Sequence, residues 1–215
     1  SRLFEFLLTL IIAKIIGLNG HVKIIIDDFD PPVEATYAFE ETKLPKFKLL
    51  FARLLDLIIT KICSLIIFVS ESYGKYFARL YNIDEDKIFV VSNGSLVKLI
   101  DYVPPRSEGS LRVLYAGSAI KVKDIDKLCR AIEDLKNAGL EIDLYIAGSK
   151  LMKLPKYVHI GSYNWPTFIK DILLKADVCV IPYPPNKLHF YYTLPAKLFD
   201  YMAAGKPIIS TNLCE

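Results

Sequence analysis

The run from Thr193 to Pro207, Thr-Leu-Pro-Ala-Lys-Leu-Phe-Asp-Tyr-Met-Ala-Ala-Gly-Lys-Pro, has the residue types and spacing of an anion site at the start of a helix. Pro195 suits the first helical turn, where its missing N–H costs nothing. The first-turn amides have no acceptor within the helix, and with Lys197 beside them they suit a diphosphate. Asp200 lies further along the same helix, where a carboxylate can accept hydrogen bonds from both hydroxyls of a ribose. The same spacing also fits an ordinary capped helix with one solvated acid.

A second candidate is Tyr115-Ala116-Gly117-Ser118 followed by Lys123. A glycine at a strand-to-helix turn lets a ligand approach the backbone, and a lysine five residues after Ser118 can reach a phosphate. The segment is neither a Walker loop nor G-x-G-x-x-G, and a plain βα turn with a surface lysine accounts for it equally. A third candidate, Asp27-Asp28-Phe29-Asp30, follows a strand. Asp27 and Asp28 there can act as a general base or hold an acceptor hydroxyl. No histidine stands near them in sequence, so a metal-free role is expected over a metal site. An Asp-rich turn is the alternative. His189 and Tyr192, just before the Thr193 run, are candidates to touch a sugar from a loop. His21 and His159 adjoin apolar runs and read as structural.

The elements that must position these residues alternate. Helices are expected over about 2–16, 46–62, 72–80, 124–137, 166–175 and 195–204. Apolar runs at 21–26, 65–69, 87–91, 111–116, 141–147, 157–160, 177–181 and 207–210 read as strands. Continuously apolar strands separated by helices indicate parallel sheets covered on both faces, with ligands at the strands' carboxyl ends. Pro104-Pro105-Arg106-Ser107-Glu108-Gly109-Ser110 is the expected linker, dividing an acceptor-side domain, 1–105, from a donor-side domain, 110–215. The chain opens on Ser1 inside an apolar helix and closes just after an apolar run, so both domains are expected to be incomplete.

With 53% hydrophobic and 24% charged residues, disorder is excluded, and a net charge of +3 gives no signature for nucleic acid. The scattered Cys63, Cys129, Cys179 and Cys214 form no C-x-x-C pair, which points to a reducing cytoplasm. Residues 1–17 are interrupted by Glu5 and Lys14, and read as a core helix rather than a membrane span. The helix at 46–62, greasy yet carrying Lys48, Arg53, Asp56 and Lys61 at roughly helical intervals and preceded by the basic run KLPKFK, reads either as a core helix or as one lying on an anionic membrane surface.

Taken together, five segments resemble the family 4 glycosyltransferases in order along the chain. Val90-Val91-Ser92-Asn93-Gly94 is similar to the family's v-i-p-N-G. Leu114-Tyr115-Ala116-Gly117-Ser118 with Lys123 is similar to Y-x-G-R…K-G. Val158-His159-Ile160-Gly161 and Ala176-Asp177-Val178-Cys179-Val180-Ile181-Pro182 are similar to V-x-f-x-G and a-D-v-x-v-x-P. Lys197 through Pro207 is similar to K-l-f-E-Y-M-A-a-G-k-P. The resemblance implies the GT-B fold, α/β with two Rossmann-like parallel-sheet domains. It implies transfer of a sugar, with retention, from a nucleotide-diphosphate donor to a polysaccharide or lipid-linked acceptor. No metal and no cofactor beyond the nucleotide-sugar is implied. Lys123 would neutralise the diphosphate, Gly117 and Ser118 would let it come close, and the amides after Thr193 and Leu194 would complete the phosphate site with Lys197. Asp200 would bind the ribose. The expected location is cytoplasmic, peripheral on the inner membrane face. Three positions depart from the family pattern. Ser118 stands where an arginine is expected, Tyr192 where the first acid of E-x7-E is expected, and Asp27 where a histidine is common, with Asp28 beside it matching the aspartate of the family's H-D. These departures keep open a second reading, a catalytically inactive nucleotide-binding relative acting as a partner subunit. A nucleotide-sugar epimerase on the same fold would be expected to use further acids and histidines.

Overall fold

A computed structural model of the chain describes residues 12, 23–27, 46–96, 103–104 and 109–215. The expected helix at 2–16, Asp28 and most of the linker fall outside these residues. The chain divides into two compact units, with the boundary between Ser92 and Asn93. It lies ahead of the Pro-rich stretch at 104–110. The physical reason is that residues between these points bond into the second unit: Asn93, Ser95 and the carbonyl of Val103 all pair with residues of 194–206.

In the first unit the elements are β1 (Ile25–Asp27), α1 (Lys46–Ile62), β2 (Leu65–Phe68), α2 (Glu71–Tyr81) and β3 (Ile88–Val90). The strands are parallel in the order β1-β2-β3, with Ile26 opposite Ile66 and Ile66 opposite Ile88. Asp27 ends β1 and is exposed. Ser70 starts α2 as its N-cap, its hydroxyl accepting the Tyr73 N–H, and Asn82 in the left-handed conformation ends the helix. Tyr73, Phe77 and Ala78 then face inward at helical spacing, with Phe68 tilted against Tyr73 and Phe77.

The second unit contains β4 (Leu111–Ala116), α3 (Ile125–Asn137), β5 (Ile142–Ala147), β6 (Val158–Gly161), β7 (Val178–Ile181) and β8 (Ile208–Ser210). These strands form one parallel sheet ordered β6-β5-β4-β7-β8, the doubly wound arrangement. Consecutive β4 residues Val113, Leu114 and Tyr115 are all buried, as a strand covered on both faces requires. α3 buries Ile125, Cys129 and Ile132 on its inner stripe. Asp177 clasps β7 to β4, accepting the Arg112 N–H at 2.8 Å through its side chain while its own N–H donates to the Arg112 carbonyl.

Three features differ from the sequence pattern. The helix expected at 166–175 is a turn of α-helix, α4 (Trp165–Thr167), widening into π-helix over Phe168–Leu173. Hydrophobic periodicity does not separate i→i+4 from i→i+5 bonding. The 187–192 segment is a short helix, α5 (Leu188–Tyr191), rather than a loop. His159, within its apolar run, is exposed on the sheet and stacked on Tyr145 at 4.7 Å, which the run alone does not indicate.

The loops leaving β4, β5 and β6 are laced together. The Gly117 N–H donates to Ala147 O, the Gly148 N–H to Gly161 O, and the Ala119 N–H to Ser149 O, at 2.8–2.9 Å. Gly117 has φ +145, a region that side chains disfavour, and a Cβ at Gly148 would lie 2.3 Å from the Gly117 carbonyl oxygen. Gly148→Ala is therefore expected to destabilise the chain by about 1–3 kcal/mol through overpacking against backbone, whereas Gly139→Ala, which meets no atom within 4 Å but also has a positive φ, should cost only the strain. Urea unfolding of both variants checks this, and equal costs would remove the close approach as a constraint.

Candidate functional site

The site is built where β4 ends and the helix α6 (Ala196–Ala203) begins. Pro195 is the N-cap, one position ahead of the expected first turn, and no side chain caps the helix. Its φ of −71 suits proline. The Leu198 N–H bonds the Pro195 carbonyl, so the amides of Ala196 and Lys197 stand at the open end, where the helix dipole favours an anion. α6 is held by Tyr201, which is fully buried and whose hydroxyl accepts the Ala116 N–H at 2.7 Å. That bond ties the second turn of α6 to the last residue of β4.

Two lysines converge on Tyr183. Lys197 donates from Nζ to the Tyr183 hydroxyl at 2.5 Å, and the same Nζ lies 4.7 Å from the Tyr183 ring centre and 5.2 Å from that of Tyr115. Lys123 places its Nζ 5.8 Å from the Tyr183 ring centre. The rings stabilise the ammonium groups through their negative faces. Burial pulls the Lys197 amine down to a pKa of about 7, the charge of Lys123 pushes the same way, and Asp200 opposes both. Burial likewise pushes the Tyr183 hydroxyl up to about 12 and that of Tyr115 further still. Tyr183 is itself fixed from behind, its carbonyl accepting the Thr211 hydroxyl at 2.5 Å.

Asp200 lies one turn along α6 from Lys197. It accepts the Ser95 hydroxyl at 2.7 Å, and burial raises its carboxyl above the usual range while Ser95 and Lys197 pull it back. The Asn93 side chain donates to Leu194 O at 2.7 Å and so positions the turn that feeds α6. Gly117 adjoins the same cluster, since a Cβ there would lie 2.8 Å from the Tyr115 hydroxyl.

Of the sequence candidates, the structure therefore groups Gly117, Lys123, Lys197 and Asp200 with the turn containing Thr193 and Leu194. Ser118 is half-buried beside Gly117. His189 and Tyr192 flank Phe190 on and after α5; it is Phe190 that reaches the cluster, 4.9 Å from Tyr183. Asp27 belongs to the first unit, and Asp28 lies outside the described residues. Tyr115, Tyr201 and Asn93 lie within segments quoted from the sequence but carry no assigned role there, and Tyr183, Ser95 and Thr211 lie outside them. The signal that existed was positional, because Tyr115 and Tyr183 stand at or just past strand ends. The assembled group is a cationic pocket wall beside a helix N-terminus, with one carboxylate a turn away. It is suited to a polyanion joined to a polyol.

Residues 110–215 match the family described as glycosyl transferases group 1. Over that segment the chain resembles this family, and its fold is of the GT-B kind. Over 71 residues the chain is 32% identical to TuaH of Bacillus subtilis (strain 168), named for teichuronic acid biosynthesis as a glycosyltransferase; the match covers 32% of this chain and 17% of TuaH. Among solved structures, TarM is similar with a TM-score of 0.58 at 14% identity, covering 82% of this chain and 34% of that one. The lipopolysaccharide outer core galactosyltransferase WaaB in its apo form is similar with a TM-score of 0.53 at 17% identity, covering 74% and 46%. A mutant of S. aureus TarM has been crystallised with Fondaparinux, alpha-GlcNAc-glycerol and UDP. The chain spans less than half the length of each of these relatives.

The Lys197 environment sets a pH dependence of stability. The unfolded chain holds this proton up to about pH 10.5, whereas the folded chain releases it near pH 7. Between those values the unfolded state binds more protons, so this residue's contribution to stability improves as pH rises. The melting temperature of the wild type relative to Lys197→Met is expected to climb between pH 7 and 10. A flat difference across that range would show that the amine is not held in a desolvated place.

Proposed function

We propose that the protein transfers a sugar from a nucleotide-diphosphate donor to a surface polysaccharide or a lipid-linked glycan, with retention at the anomeric carbon and without a metal. The observation that carries this reading is the convergence of Lys197 and Lys123 on Tyr183 at the N-terminus of α6, with Asp200 one turn along. In this reading the diphosphate lies against the first-turn amides and the two ammonium groups, and the Gly117 turn lets it approach the backbone. The ribose hydroxyls donate to Asp200, taking the place of the Ser95 hydroxyl. Charge that grows on the departing diphosphate is stabilised by groups already in place, which is where electrostatic catalysis acts. His189 and Tyr192 are proposed to contact the sugar, and Asp27 and Asp28 to orient or deprotonate the acceptor hydroxyl. The names of TuaH and WaaB support a cell-surface polysaccharide as the acceptor class, and UDP bound to TarM makes UDP the first base to test.

A second reading is favoured by two residues. Ser118 and Tyr192 remove an arginine and an acid that the resemblance expects at the diphosphate and the sugar. A chain lacking both is then a nucleotide-binding partner subunit without turnover.

The test is a thermal-shift panel with UDP, GDP, ADP and CMP and their sugar conjugates, followed by titration and a donor-hydrolysis assay. Asp200→Ala is expected to weaken nucleotide binding by about 1–3 kcal/mol, the cost of leaving polar partners unpaired. Lys123→Ala is expected to weaken the diphosphate while leaving the nucleoside unchanged. Because the anion requires the protonated Lys197, diphosphate affinity should fall as pH rises above about 7. Unchanged affinity in Asp200→Ala would remove the ribose assignment, and binding without turnover in any conjugate would favour the partner-subunit reading.

A further inference from the structure

We propose that the outward face of α1 is a docking surface for anionic lipid, on which the helix lies in the plane of the membrane. Phe47 and Leu50 are 70% exposed, and Phe51, Leu54 and Leu57 are exposed on the same side. Their spacing of three and four residues forms one continuous apolar stripe along the helix. The inward side of α1 buries Ala52 and Leu55 together with the polar Asp56 and Thr60. A helix that hides its polar residues and shows its phenylalanines and leucines has a second apolar environment to meet.

Charge identifies that environment. Arg53 and Lys61 are exposed along α1. Its one acid, Asp56, is fully buried, and accepts a hydrogen bond from the Tyr81 hydroxyl at 2.5 Å. The outward face therefore combines apolar side chains with basic charge alone, the pattern that anionic headgroups over acyl chains attract. Paired on this face, a second copy of this chain would bring one basic surface against another. Among the described residues no helix is long and apolar enough to cross a membrane, and α1 has 17 residues, so the geometry is in-plane. The inference stands apart from the donor site, which lies in the other unit.

The experiment is cosedimentation of the purified chain with vesicles of phosphatidylcholine alone or mixed with phosphatidylglycerol. Binding is expected to the mixed vesicles, to be weak to phosphatidylcholine alone, and to be lost in high salt. Leu50→Glu with Leu54→Glu should lower the partition coefficient at least about tenfold, since both side chains are meant to enter the acyl boundary. The melting temperature should stay near that of the wild type, because neither side chain is in the core. Arg53→Glu with Lys61→Glu, a change confined to exposed charges, should lower binding to the mixed vesicles while leaving the residual binding to phosphatidylcholine. No binding of the wild type to the mixed vesicles would overturn the proposal, as would binding unaltered in both double variants. A concentration-dependent dimer that the leucine variant abolishes, without vesicle binding, would assign the stripe to a second copy instead.

Discussion

The hydrogen bond from the Ala116 N–H to the buried Tyr201 hydroxyl joins the two parts of the chain that the site requires. A strand leaving a parallel sheet loses its ladder partners at its carboxyl end, and each amide there needs an acceptor. Here the acceptor is a phenol carried by α6. The bond sets how far α6 stands from β4, and so places Lys197, one turn before Tyr201, and Asp200, next to it, beside the Gly117 loop. A phenylalanine at 201 would keep the packing but orphan the amide. The geometry of the pocket wall thus rests on a residue that touches no ligand in the proposed arrangement.

The electrostatic character of the wall follows from its construction. Lys197 is half-buried between two aromatic rings and faces another lysine, with a single carboxylate to offset them. Such a cluster is unfavourable when empty and becomes favourable when a polyanion supplies the missing charge. The tyrosines contribute ring faces and a hydroxyl acceptor without adding negative charge, since burial drives their ionisation far above neutral pH. In the proposed arrangement, strength of binding is thereby linked to the protonation of one amine.

Much of the fold could be read along the chain, because continuous apolar strands and amphipathic helices carry a strong periodic signal. α1 begins and ends at Lys46 and Ile62 as its pattern suggests, and Ser70 announces α2 by its capping chemistry. What periodicity could not distinguish was how a helix is hydrogen-bonded, hence the π-helical turns after Thr167, or how short an element can be, hence α5. At the site, Gly117, Lys123, Lys197 and Asp200 were legible because each is a chemically distinctive residue just past a strand or on one helix. Tyr115 and Tyr183 were not, since in sequence a tyrosine at a strand end looks like core. Asn93 and Ser95 were hidden for a different reason: their partners, Leu194 and Asp200, lie about a hundred residues away, and no local pattern records such a pairing.

The contact between Asp56 and Tyr81 fixes the roll of α1 about its own axis. A roll of half a turn would bury Phe47, Leu50, Phe51 and Leu54 instead. Doing so would leave the Tyr81 hydroxyl without this acceptor and carry a carboxylate out from a place where Leu55 and Ala52 now seal it. One buried polar pair therefore sets the roll of the helix. It acts as a detent that holds Ala52 and Leu55 inward and Phe47 and Leu50 outward.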